Sequence, residues 1–218
     1  MRKLRILIDM DGIVCDTLPY WLQKIFNKTG VSAQVEDITQ WAMDKCPPLD
    51  KVDPKVIFGM LQDPGFIYNI KPVWGAVEAV RQLVADGHEV YLVTARHGPV
   101  SMPDTLEWVK KYLPFLNAEK NTIFAYNKWV IPADVLIDDK AETLVEYSKH
   151  HENALMMGIK YPYNQALAQA DTRFKGFKLF DGHPDLTLTW GSIYGYLRAY
   201  AEEPDRTAQL EVLNGRSR

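Results

Sequence analysis

Two short apolar runs, far apart in the chain, each end in acid. The first is Leu4-Arg5-Ile6-Leu7-Ile8-Asp9-Met10-Asp11-Gly12, and the second is Asp134-Val135-Leu136-Ile137-Asp138-Asp139. Runs of this length and β-branched content read as strands buried on both faces. In open α/β sheets the ligand crevice lies just outside the carboxyl ends of the strands. Two such strands side by side would bring four carboxylates into one crevice. Anions that close repel strongly unless a cation sits among them. An all-carboxylate set therefore points to a hard divalent metal, magnesium above others, shared with an anionic small molecule.

The rest of the chain alternates in the same rhythm. Val90–Thr94, Thr122–Tyr126, Val135–Asp138 and Ala154–Met157 read as further strands. Helical periods run over Val73–Asp86, Met102–Leu113, Ala141–His150 and Trp190–Tyr200. This alternation predicts an α/β, Rossmann-like core: a mostly parallel sheet flanked by helices, over residues 1–17 and 72–202. Residues 18–71 break the rhythm. They hold a helical stretch from Thr17 to Phe26 closed by Gly30, an irregular polar stretch over 31–53, and a short helix opened by Asp53-Pro54. This aromatic-rich segment reads as a small helical cap inserted after the first strand. Residues 203–218 read as a polar, frayed tail.

Composition narrows the possible partners. Of the 218 residues 47% are hydrophobic, enough for a packed core. The net charge of −3 offers no basic face for a nucleic-acid polymer. The apolar stretch at the N-terminus is a strand rather than a signal peptide, and no run is long enough to span a bilayer, so no membrane partner is expected. Two cysteines, Cys15 and Cys46, make no disulfide framework and suit a reducing, cytoplasmic setting. A homodimer is compatible with all of this.

The chemistry follows from the acids and their spacing. A carboxylate at Asp9 can attack phosphorus and form an acyl phosphate, replacing one difficult displacement with two easier ones. Asp11, two residues on, is placed to protonate the leaving oxygen and later to deprotonate water, and neighbouring acids should raise its pKa. Thr94 ends a strand and can donate to a phosphoryl oxygen. Lys128 follows the next strand and supplies fixed positive charge. Asp138 completes the metal site, with Asp139 beside it, either orienting Lys128 or capping the helix near Lys140.

The order Asp9-x-Asp11-Gly12, Thr94, Lys128, Asp138-Asp139 resembles the four motifs of the haloacid dehalogenase-like (HAD) superfamily. An aspartate at the Asp11 position is what phosphatases and phosphomutases of that superfamily carry. Asp9-Met10-Asp11-Gly12-Ile13-Val14-Cys15-Asp16, Pro72–Val80, Glu107–Tyr112 and Lys128–Asp139 are similar to segments of the 5′(3′)-deoxyribonucleotidases. The resemblance implies Asp9 as nucleophile and magnesium ligand, and Asp11 as acid/base with its backbone carbonyl on the metal. It implies Thr94 and Lys128 on the phosphate, and Asp138 as the remaining metal ligand. The implied activity is a magnesium-dependent phosphomonoesterase acting on (deoxy)nucleoside monophosphates through an aspartyl-phosphate. A phosphatase for another small phosphoester, such as a sugar phosphate or phosphoglycolate, is the alternative within the fold. A phosphomutase is a further option, and a non-catalytic nucleotide-binding regulatory protein is the alternative outside enzymology. The chain departs from the deoxyribonucleotidase pattern in two places. Thr94-Ala95-Arg96 stands where Thr-Ser-Pro is usual, and Thr17 stands where phenylalanine is usual. Ala95 and Arg96 are thus substrate-binding candidates, Arg96 as an added phosphate contact.

The aromatics of the 18–71 segment are mostly material for its own core. Trp41, Phe66 and Tyr68 are the candidates to face the crevice and stack on a nucleobase.

Overall fold

The structure is a computed structural model that describes residues 1–173, 176–182 and 186–202. The expected tail over 203–218 lies outside the described residues. Strand β1 (Arg5–Ile8) is buried from its second residue on, and this decides its place. A strand apolar on both faces must be central and covered twice. It pairs in parallel with β2 (Glu89–Thr94) on one side and β4 (Val135–Ile137) on the other. Strands β3 (Thr122–Phe124), β5 (Leu155–Ile159) and β6 (Phe177–Phe180) extend a six-stranded parallel sheet in the order β3-β2-β1-β4-β5-β6. Five of these strands are expected from the sequence, and β6 is not. That strand is a short edge element whose run is interrupted by Lys178, and its burial alternates only weakly.

Side chains along each strand divide between two cores with the period of two that a pleated strand imposes. Ile6, Ile8, Val135 and Ile137 face one core, and Leu7 and Leu136 the other. The first core is closed by α3 (Ala76–Ala85), α4 (Ser101–Tyr112), the one-turn α5 (Ala118–Asn121) and α8 (Thr189–Glu202), through Val80, Leu83, Trp108, Ala118 and Trp190. The second is closed by α6 (Ala141–His150) and α7 (Ala166–Arg173), through Leu144, Tyr147 and Leu167. Helix α3 starts three residues later than its sequence period suggests. Gly75 sits at φ 76°, in the left-handed region, and turns the chain into the helix.

Between β1 and α3 the chain is helical but mostly in single turns. Helix α1 (Thr17–Thr29) ends at a left-handed Gly30. One-turn 3₁₀ segments follow at Val35–Asp37, Met43–Lys45 and Leu49–Lys51. Helix α2 (Pro54–Gly59) is capped by Asp53, whose carboxylate accepts from Lys55 N at 2.9 Å. Leu22, Ile25, Ile38, Met43, Leu49, Ile57 and Phe66 of this segment join the first core rather than forming a separate one. Among the described residues no helix is long and apolar enough to cross a membrane.

The chain leaves β1 toward β2 and β3, then returns to its other side as β4. The strand order therefore reverses at β1, which is where a crevice opens in sheets of this type.

Candidate active site

The backbone ladder fixes the centre of the crevice. Ile8 is in register with Ile137, so the next residue of each strand, Asp9 and Asp138, emerges at adjacent tips. Asp9 N donates to Ile137 O at 2.9 Å, and Asp138 N to Met157 O at 3.0 Å, so both aspartates still belong to the sheet. Carboxylate oxygens of Asp9, Asp138 and Asp139 lie within 4.8 Å of one another. Lys128, on a 3₁₀ turn (Lys128–Val130) after β3, places its ammonium between two of them. Its Nζ donates to Asp138 Oδ2 at 2.7 Å and, in a tighter contact, to Asp9 Oδ1. All four side chains are buried.

Three carboxylates and one ammonium leave an excess of negative charge in a dry place. Burial, with Asp138 and Asp11 nearby, pushes Asp9 up to about 7 despite the opposing pull of Lys128. Asp139 is raised well above the usual carboxylate range, first by burial and then by Asp9 and Asp138. For Lys128 burial works downward, but Asp138 and Asp9 outweigh it and hold the ammonium charged. Asp139 Oδ1 is buried and has no hydrogen-bond partner among the described residues. An oxygen-only donor set, an excess of two negative charges and an unpartnered buried carboxylate oxygen together fit a hard divalent cation. Lys128 is oriented by Asp138 and Asp9, not by Asp139. Asp138 also turns the chain into α6, since its Oδ1 accepts from Lys140 N at 2.8 Å.

Asp11 does not join that cluster through its side chain. Its carboxylate faces the guanidinium of Arg96: Nε donates to Oδ2 at 3.0 Å and Nη2, more closely, to Oδ1. Thr17 Oγ1 donates to Oδ1 at 2.6 Å. Arg96 is itself held, with Nη1 donating to Thr105 Oγ1 on α4 at 3.1 Å. The sequence reading expects neighbouring acids to raise the pKa of Asp11. Burial does push it up, but the Arg96 charge and the hydrogen bonds from Arg96 and Thr17 win, and it is lowered. Arg96, expected as a phosphate contact, is committed in this structure to Asp11. Asp16 holds the N-cap position of α1, and Thr17, the first residue of that helix, reaches the acid.

A loop after β5, which the sequence reading passes over, closes the other side. Tyr163 donates its hydroxyl to Asp139 Oδ2 in a short contact. Burial, followed by the charge of Asp139, raises the Tyr163 phenol well above its ordinary value and keeps it the donor. Asn164 Nδ2 donates to Asp139 O at 2.7 Å, and Tyr161 donates to Gly12 O at 2.7 Å. Gly12 is required here. Its φ is 71°, and a Cβ would lie 2.5 Å from Asp139 Oδ2 and 3.2 Å from Tyr163 Oη.

Above these groups is a cavity of about 480 Å³, a size that suits a small organic ligand. Its floor holds Asp9, Asp11, Thr94, Lys128, Asp138 and Asp139, and Ala95 and Arg96 also line it. Its far wall comes from the segment between β1 and α3: Leu18, Trp21, Ile38, Trp41, Met43 and Phe58. Thr94, at the end of β2, is 1% exposed and accepts from Arg96 N at 3.4 Å. Of the three aromatics expected to face the crevice, Trp41 does so, half-exposed and packed edge-on against Tyr163 at 5.5 Å. Phe66 is turned into the core against Tyr20 and Trp21, at 5.2 and 6.0 Å. Tyr68 lies under Lys111 at 4.2 Å, away from the cavity. Phe58 and Tyr126 are the exposed aromatics at the mouth that the sequence reading does not single out.

Comparison with known proteins places the site in a context. The family described as 5′ nucleotidase, deoxy (pyrimidine), cytosolic type C protein matches residues 2–174. A 5′(3′)-deoxyribonucleotidase of Bacillus subtilis (strain 168) is 30% identical over 148 residues, covering 67% of this chain and 81% of its own length. The 5′(3′)-deoxyribonucleotidase of Bacillus phage SPbeta is similar to the same extent, 30% over 148 residues, with 67% and 81% covered. Among solved structures, a HAD family hydrolase from Deinococcus radiodurans R1, with bound phosphate and sodium, superposes with a TM-score of 0.54 at 13% identity. The superposition covers 92% of this chain and 98% of that one. At that identity the likeness is one of fold.

Proposed function

The chain belongs to the cytosolic type C 5′-deoxynucleotidase family, and from that premise we propose a magnesium-dependent phosphomonoesterase that hydrolyses (deoxy)nucleoside monophosphates through an aspartyl-phosphate. The observation that carries this reading is the pair of adjacent strand tips: Asp9 and Asp138 side by side with the Lys128 ammonium between them. Asp9, Asp138 and Asp139 would hold the cation, with the backbone carbonyl of Asp11 as a further ligand. Bound magnesium would offset the charge of the phosphoryl group beside that of the nucleophile.

The residues divide the work as follows. A carboxylate oxygen of Asp9 attacks phosphorus, and the bond from phosphorus to the nucleoside oxygen breaks. Asp11 gives a proton to that leaving oxygen. Water then attacks the acyl phosphate, Asp11 takes its proton, and the phosphorus–Asp9 bond breaks to release phosphate. Lys128 and Thr94 hold the phosphoryl oxygens, a task that phosphoryl transfer rewards because it depends on positioning and electrostatics. In the paired state Asp11 is ready as the base of the second step. To act as the acid of the first it must loosen from Arg96. The segment over 18–71 acts as the cap, whose apolar wall and Trp41 take the nucleoside and exclude bulk water.

The test is a panel of substrates with purified protein and magnesium, following release of inorganic phosphate. It includes 5′- and 3′-phosphates of deoxy- and ribonucleosides, sugar phosphates and phosphoglycolate. Preference for nucleoside monophosphates is expected. Equal or faster release from the sugar phosphates or phosphoglycolate would contradict the substrate assignment, and transfer of phosphate without its release would indicate a phosphomutase.

A further inference from the structure

Asp139 differs from its two partners in the cluster. Asp9 and Asp138 are held by the Lys128 ammonium, whereas among the described residues no cation is paired with Asp139. Its grip comes from the loop after β5. Tyr163 binds one carboxylate oxygen, Asn164 Nδ2 binds the Asp139 carbonyl at 2.7 Å, and the same Nδ2 ties the loop to Ile159 O at 2.8 Å. The Tyr163 ring is fixed in turn, stacked on Tyr161 at 5.0 Å and 14°. Tyr161 closes the circuit by donating to Gly12 O at 2.7 Å. With Oδ2 taken by the phenol, the unpartnered Oδ1 is the oxygen left to the shared centre. Outer-shell donors of this kind orient a ligating carboxylate, and losing one costs metal affinity rather than the fold.

We infer that Tyr163 is a positioning residue for the cation site: its hydroxyl turns the Asp139 carboxylate so that the other oxygen faces Asp9 and Asp138. The inference rests on the proposed magnesium site. Tyr163→Phe is the natural probe, because it deletes the hydroxyl and keeps the ring against Tyr161 and Trp41.

The measurement is magnesium binding by calorimetry to the full chain without substrate, with melting temperature in chelator as the control for folding. Tyr163→Phe should weaken magnesium binding about 10- to 100-fold, while its melting temperature in chelator stays near that of the wild type. The same change is then made on an Asp139→Asn background. If Tyr163 acts through Asp139, the second change alters the magnesium Kd by less than about 3-fold there, because the coupled carboxylate is already gone. An unchanged Kd in Tyr163→Phe, or an equal loss on both backgrounds, would overturn the inference. A wild-type chain that takes up no magnesium would instead overturn the metal reading beneath it.

Discussion

The strand tips and the helical segment between β1 and α3 face each other across one cavity, but they are built by different rules. At the tips the backbone decides. Parallel pairing in register puts Asp9 next to Asp138, and the side chains have little choice. In the helical segment, made largely of single turns, packing decides residue by residue. Trp41 points into the cavity while Phe66, equally aromatic, is swallowed by the core. In the proposed function, chemistry that demands fixed distances sits on the sheet, and recognition of an apolar surface is left to the part whose side chains packing selects.

This contrast can be broken, or sharpened, by experiment. Asp9→Asn should lower turnover by at least about 10³-fold and leave the fold standing, because it removes the proposed nucleophile without removing volume. A variant within tenfold of wild type, measured in steady-state phosphate release, would break the assignment of the tips. Phe66→Ala should cost about 3–5 kcal/mol of stability in chemical denaturation, with the nucleotide KM unchanged in whatever folded protein remains. A raised KM with normal stability would move Phe66 from the core to the binding wall.

Arg96→Ala frees Asp11 from its bidentate partner. Release of nucleoside in a single turnover should stay near wild type or rise, because Asp11 no longer has to loosen to act as the acid, while release of phosphate should fall about 10²-fold, the scale of general base catalysis. The burst of nitrophenolate from p-nitrophenyl phosphate, whose leaving group needs no proton, should stay near wild type. Equal loss of nucleoside and nitrophenolate release would make Arg96 a phosphate contact or a purely structural residue. Trp41→Ala should raise the KM for nucleotide about tenfold, roughly 1.4 kcal/mol, with kcat little changed.

A further expected effect is one of pH. The folded protein raises Asp9 from 3.8 to about 7, so without metal its contribution to stability is present below pH 3.8 and is lost as pH rises through about 7. In chelator, wild type should therefore lose stability relative to Asp9→Asn across that window, and magnesium should flatten the difference. Thermal melts at matched ionic strength would show it, and a gap independent of pH would contradict the burial argument.

The same contrast explains what could be read from the chain. Asp9, Asp138 and Lys128 are legible because unbroken apolar runs mark central strands, and residues at strand ends fall at the crevice by topology alone. The Asp11–Arg96 pair is not, since its partners lie 85 residues apart and proximity to other acids argues for the opposite pKa shift. Tyr163 is missed for a related reason. It sits in a one-turn 3₁₀ segment, Pro162–Asn164, and nothing local in the sequence says that this segment folds back under Asp139. Trp41 and Phe66 could not be told apart, because a segment of one-turn helices has no period from which to read a buried face. Strand β6 is illegible because it is only four residues long and carries Lys178.

The proposed covalent attachment at Asp9 can be tested directly. Wild-type protein is quenched during turnover of a nucleoside monophosphate, reduced with borohydride and mapped by peptide mass spectrometry, which converts an aspartyl-phosphate to homoserine. Homoserine at position 9, absent without substrate, is the expected result. An intact Asp9, or a modification at another residue while phosphate is being released, would contradict the account.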